Sequence, residues 1–459
     1  MHSIWAVARN TLAQAVRMKI AIVVFLLLII LLPLMSVVMG GDGTLLGKLQ
    51  TFSSYGLGLV NFLLSILTIA ISCFTLSNDL KRKHIFLVLT KPIQRFQLIL
   101  GKLLGVFILN VILLAMFGAV LYGCILFIPR LSEAPPQEVV EVEYEFFTSR
   151  IGIKSELDME ALTQNSVEQF NKLKKNNQLP EGMSIPRVMN ELRLQEIMKV
   201  KSVSPGSVKQ WDFENVNVKN PQDPNSAIFV RYKYETSSPT PDGQVYGMWR
   251  VGDIRQYNAD AGLLTTPIYS VERQEATKTM HEFPVPADAV SSGRNLSVAF
   301  FNSPAVNRTT IIPEDIEILY RTGTFAGNYI RATLAILIQL VFLSVLGIAL
   351  STCLSFPVAI LVCLPVFLVG LIHGFINEAV SDVGSGIGVV YFLIIKPILW
   401  LFPQFDGAYN PNGYIIDGRT LSWTFLLMTA GITLFVKGLI AMLIGMFIFS
   451  RREVAKAVV

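Results

Sequence analysis

The sequence predicts an α-helical polytopic membrane protein with six transmembrane helices plus one re-entrant or interfacial helix, and an inserted α+β, β-sandwich-like extracytoplasmic domain. Three observations carry this. The 459 residues have a mean hydropathy of +0.52 and only 15% charged residues, against about a quarter in soluble proteins. Six apolar runs are long enough to cross a hydrocarbon layer of roughly 30 Å. Between the third and fourth runs the chain turns polar and alternating over residues 129–325. The net charge of +5 is too small to argue for nucleic acid, so the placement of the charges matters more.

Residues 1–128 form the first membrane block. Over 2–19, Ile4, Trp5, Ala8, Leu12 and Val16 alternate with Arg9, Gln14, Arg17 and Lys19. The spacing suits a helix in the membrane interface, or a cytoplasmic extension of the first span. Spans follow at 20–39, 55–76 and 103–128. The run 20–39 is followed by Met39-Gly-Gly-Asp-Gly43 without a small-residue cleavage site, so it is expected to stay as a span. The 78–102 segment between the second and third spans is strongly basic. Asn78 or Asp79 suits a helix cap, Lys81, Arg82 and Lys83 give a charged first turn, and residues 85–89 are apolar. Thr90-Lys91-Pro92 ends that helix, and Pro92 suits the first turn of the next, which runs through Arg95 into the third span.

Residues 129–325 read as one inserted domain. Val139 to Phe147 alternates apolar residues with glutamates, a strand pattern. Ser155, with Asp158 three residues on, caps a helix over 155–176, and a second helix covers 185–200. Candidate strands then follow at 208–216, 227–235, 244–251, 261–272, 296–302 and 315–320, separated by turns rich in Pro and Gly.

Residues 326–459 form the second membrane block, with spans at 329–350, 357–375 and 424–449. The apolar piece 389–402 carries Lys396-Pro397 at its midpoint and is too short to cross, so it is expected to be re-entrant or interfacial. Six spans leave both termini, the 78–102 segment, Arg451, Arg452 and Lys456 on the cytoplasmic side, as the positive-inside rule requires.

Chemistry-bearing patterns are few. Gly43-Thr-Leu-Leu-Gly47-Lys48 approaches a phosphate-binding loop, but its glycine spacing is one residue short and Leu49 replaces the magnesium-holding hydroxyl. The four cysteines, Cys73, Cys124, Cys353 and Cys363, all lie in apolar segments and are expected to pack as small hydrophobes. The four histidines have no metal-ligand spacing. No metal ligand, no catalytic residue and no cofactor is therefore expected in this chain. Polar groups in or near the spans are costly. His373, Asn377, Glu378, Lys396 and Lys437 are candidates for an intramembrane polar site, or else groups that snorkel and pair beneath the outer domain. Gly431, Gly438 and Gly445 recur every seventh residue, a stripe for close helix packing within the chain or in a dimer.

The order Asp79, Thr90-Lys91-Pro92, Arg95, Gly101-Lys102 resembles the signature between spans two and three of ABC-2 type permeases. That group of ABC exporter membrane subunits includes the permease of the copper-enzyme maturation system. Arg9-Asn10, Asn328 with Arg331, Leu354-Ser-Phe-Pro-Val-Ala359, Leu401-Phe-Pro-Gln-Phe-Asp406 and Phe449-Ser-Arg-Arg-Glu453 agree in order. The resemblance covers the membrane part and not the outer section. It implies a permease in the plasma (bacterial inner) membrane, a homodimer or paired permease, with separate cytoplasmic ABC ATPase subunits that hold ATP and magnesium. It also implies ATPase coupling through Asp79, Lys81, Arg82, Lys83, Thr90, Lys91, Pro92, Arg95, Gly101 and Lys102. Export or extrusion is then expected; the alternative is a mechanotransmitter that reshapes the outer domain and moves nothing across.

Overall fold

The computed structural model describes residues 2–81, 94–132, 134–155, 158–176, 178–179, 185–221, 223, 226–240, 242–255, 266–381 and 391–451. Arg82, Lys83, Thr90, Lys91 and Pro92 lie outside the described residues, as do Arg452 and Lys456. The chain divides into two compact units, one of Met1–Ser149 with Gly323–Val459 and one of Arg150–Thr322.

The first unit is a helical bundle. It begins with α1 (His2–Val16), α2 (Lys19–Val38), α3 (Leu45–Lys81), α4 (Arg95–Leu131) and α5 (Pro136–Glu145). After the second unit come α8 (Phe325–Ser351), α9 (Phe356–Leu371), α10 (His373–Ser381), α11 (Lys396–Leu401), α12 (Pro411–Ile416) and α13 (Trp423–Arg451). Among the described residues five of these, α2, α3, α4, α8 and α13, are long and apolar enough to cross a membrane, which suggests a membrane protein. The expected fifth span, 357–375, is broken at Ile372, whose φ and ψ leave the helix. What remains, α9, has 16 residues, about 24 Å at 1.5 Å per residue.

The long helices outrun the apolar runs that announced them. α3 has 37 residues, because Thr44 Oγ1 accepts from Gly47 N at 3.0 Å and Glu138 reaches Leu45 N at 2.9 Å. α4 starts at Arg95 on a capping box between Gln94 and Gln97. The basic connection is thus shorter than the expected 78–102. The expected strand over 139–147 is instead helix α5. Val140, Val142, Tyr144 and Phe146 fit a strand period, but Val139, Val142 and Phe146 fit a helical one, Pro136 opens the first turn, and Val142 and Phe146 bury in the bundle core. The bundle unit therefore runs past residue 128, the expected end of the first block.

The second unit holds β1 (Thr148–Lys154), α6 (Met159–Lys175), α7 (Ile185–Lys201), β2 (Val208–Phe213), β3 (Ala227–Thr236), β4 (Gln244–Gly252), β5 (Tyr269–Ala276), β6 (Met280–Pro286), β7 (Leu296–Phe301) and β8 (Ile311–Thr324). Asp158, not Ser155, caps α6, its carboxylate accepting from Glu160 N and Ala161 N; a charged acceptor suits the positive helix end better. Strands order β1-β8-β3-β6 in one sheet and β2-β7-β4-β5 in the other. Ile228, Val230, Tyr232 and Tyr234 of β3 face Val245, Trp249 and Val251 of β4 in one core, a sandwich. The Trp249 ring lies 4.4 Å from Tyr232, and its Nε1 donates to Tyr234 Oη at 2.9 Å. Tyr232 Oη donates to Glu275 on β5 at 2.5 Å. Burial pushes both phenols well above the ordinary tyrosine value. The expected list lacked β1 and β6. Pro284 and Pro286 argue against a central strand, but β6 is an edge, where a missing N–H costs no ladder bond.

Candidate functional site

The described signature residues meet at one end of the bundle, on both sides of segment 82–93. Asp79 sits near the end of α3, one turn after Thr75. Lys102, about two turns into α4, has a side chain only 1% exposed. Its Nζ donates to Thr75 O at 2.8 Å and to Asp79 Oδ2 at 2.5 Å. Two of its three donors are thereby used, and α3 is tied to α4. Arg95 Nη1 donates to the carbonyls of Phe449 (2.8 Å) and Ser450 (2.7 Å) while its guanidinium lies 5.8 Å from the Phe449 ring. A cation here satisfies orphan carbonyls and the negative end of α13 together.

Gly101 has a packing reason. A Cβ there would lie 2.7 Å from Val7 Cβ and 2.9 Å from Ile4 O, so α1 crosses α4 at backbone contact distance. α1 buries Ala8, Thr11 and Ala15 and exposes Trp5. Met18 is extended, which separates α1 from α2; α1 is a helix of its own, not an extension of the first span. Asp79, Arg95, Gly101 and Lys102 thus join four helices, α1, α3, α4 and α13. Lys81 ends α3.

Of the intramembrane candidates, the structure brings two to one place. His373 Nε2 contacts Leu399 O at 3.0 Å, and Lys437 Nζ donates to Phe402 O at 2.7 Å. Both therefore serve carbonyls at the C-terminal end of α11. Asn377 and Lys396 have exposed side chains elsewhere on α10 and α11; Glu378 lies on α10 and its side chain is outside the described residues. Lys437 also lies 5.5 Å from the Trp400 ring centroid. The glycine stripe is interrupted, because Gly431–Gly438 is wound as a π-helix. Only Gly445 makes a tight approach, to Ala349 of α8, within the chain.

Sequence reasoning missed a polar stripe on α3: Asn61, Ser65, Thr68, Ser72, Thr75 and Asp79. Asn61 Nδ2 donates to Gln339 Oε1 (3.3 Å), and Gln339 Nε2 to Ser65 Oγ (3.2 Å). Thr68 donates to Asn110 Oδ1 (2.9 Å), and Asn110 Nδ2 to Ser344 Oγ (3.2 Å). The alternating spacing of four and three is a helical period in polar residues, a signal hidden by searching only for apolar periods. Ser65, Thr68, Ser72, Thr75 and Asn110 are buried, so the stripe glues α3, α4 and α8 and encloses no open channel.

The loop resembling a phosphate site holds its own anion. Asp42 Oδ1 accepts from Thr44 N and Oγ1, and the Thr44 hydroxyl holds this carboxyl below its ordinary value. Cys73 and Cys363 are buried with Sγ atoms 3.9 Å apart, whereas Cys353 is exposed, unlike its expected packing. Among the described residues no His, Cys, Asp and Glu side chains gather in threes. Comparison with family models, with curated proteins and with solved structures found no match.

Proposed function

We propose that this chain is the membrane subunit of an ATP-driven transporter of the ABC-2 type, paired with a second permease and coupled to separate cytoplasmic ABC ATPase subunits. ATP and magnesium belong to those subunits. The single observation behind this reading is the frame of Asp79, Arg95, Gly101 and Lys102. A push on the basic segment between Lys81 and Arg95 reaches α3 and α4 directly, and α1 and α13 through them. A buried ion pair and a capped helix end transmit such a push because neither deforms gradually. The finer topology goes with the proposal: α9 is a short fifth span of six in a locally thinned bilayer, both termini are cytoplasmic, and Arg150–Thr322 is outside.

The direction is export or extrusion. The closed polar stripe on α3 favours a second reading, in which the helices relay ATPase motion to the outer unit and nothing crosses. Extraction in mild detergent tests the first step: an ABC ATPase is expected to co-purify, with hydrolysis that responds to this chain. Replacing Lys81, Arg82 and Lys83 with Glu should release the ATPase while the bundle stays folded. Association and hydrolysis that survive this change would sink the coupling assignment.

A further inference from the structure

We propose that the cleft between α8 and α13 binds a single-chain carboxylate amphiphile of the fatty-acid class, with its carboxylate on Lys437. The cleft measures about 280 Å³ and is walled by Phe342, Leu346, Leu401, Ile440 and Ile444. That is at the lower end of ligand pockets, room for one aliphatic chain. Leu401, Ile440 and Ile444 are exposed, so the cleft opens on the flank of the bundle, where the chains of lipids lie.

Lys437 is the charged residue among the described lining. It stands 14 residues from either end of Trp423–Arg451, which puts it about 21 Å from each by helical rise and near mid-depth. An ammonium there is costly unless matched. Phe402 O takes one of its N–H donors, and the Trp400 face offers only the weaker attraction of a ring. No carboxylate among the described residues pairs with it. Two donors remain on a net positive group at the head of an apolar cleft, and a carboxylate accepts both. The winding changes at this residue, since the π stretch closes at Lys437-Gly438; such bulges often mark functional positions. A phospholipid fits less well, bringing a second chain and a bulky head to mid-depth.

The inference deepens the transporter reading by naming a substrate class and rests on it for that role only; binding is tested without ATPase or nucleotide. The full chain, in nanodiscs of neutral phosphatidylcholine, is exposed to a photoreactive diazirine analogue of palmitate and mapped by mass spectrometry. Label is expected on residues 440–448, competed by palmitate but not by its methyl ester. Lys437→Met should lower labelling about tenfold or more, whereas Lys437→Arg keeps it. Ala441→Trp, which fills the cleft and leaves the lysine in place, should abolish it. Equal competition by the ester, or undiminished labelling of Lys437→Met or Ala441→Trp, would overturn the proposal. Loss of ATPase association with labelling intact would instead strike the coupling role alone.

Discussion

The bundle and the sandwich are built inside out with respect to each other. In the sandwich, Trp249, Tyr232, Phe283 and Phe300 are buried, and water drives them together. In the bundle, Leu26, Ile30, Leu361, Phe435 and Phe447 face outward, while Asn110, Lys102, Gln339 and Ser344 are buried. Lipid gives apolar side chains no reason to hide, so helix association rests on packing and hydrogen bonds. The same polar atom therefore acts as glue in one unit and, in the other, as a liability that needs a dedicated partner.

The sharpest break of this comparison is at Lys102. Lys102→Met leaves the Asp79 carboxylate without its cation, a loss of about 3–5 kcal/mol. Hydrogen exchange should rise across the ends of α3 and α4, and adding Asp79→Asn should restore much of the protection. If the double variant is as damaged as the single one, packing and not the ion pair holds that end.

A milder contrast sets one hydrogen bond in each unit side by side. Trp249→Phe removes a hydrogen bond from the Tyr234 hydroxyl in a dry core, at about 1–3 kcal/mol. Asn110→Leu removes a bridge between α3 and α8 at about 0.6 kcal/mol, because partners remain available within a membrane. Thermal melts of the two variants in the full chain give the order. Equal losses would erase the proposed difference between the environments.

Lys209 of β2 offers the smallest and most specific test. It lies 5.4 Å from the Trp211 ring, and burial, with Lys201 nearby, lowers its pKa to about 8. The unfolded chain keeps a value near 10.5. From about pH 8 to about pH 10.5 the unfolded state binds more protons, so this group makes stability rise with pH across that window. Below it the penalty is complete. Lys209→Met should therefore stabilise the sandwich at pH 7, by less than about 1 kcal/mol once solvent screening is allowed for. The gain should vanish above about pH 10.5. A gain independent of pH would assign it to packing alone.

Residues with one dominant preference were legible in the sequence. The apolar runs announced five helices, and the turns and alternation announced β2, β3, β4 and β7. At the candidate site, Asp79, Arg95, Gly101 and Lys102 stood out by order and spacing. Their roles did not. Gly101 owes its importance to Val7 and Ile4, residues some ninety positions away, and Arg95 serves carbonyls at the far end of the chain. Val139–Phe147 failed as a strand because nine residues fit two periods, and only a bundle surface to bury Val142 and Phe146 chose between them.

The sequence by itself determined that this chain carries runs apolar and long enough to enter a membrane, that a polar unit interrupts them, and that a basic segment joins two of them. Hydrophobicity and charge act residue by residue, so their pattern survives without a fold. Tertiary structure decided which helices the residues flanking the basic segment join, whether the polar stripe opens or closes, and what Lys437 faces. Those depend on groups distant in sequence meeting within a few ångströms, which no local preference encodes.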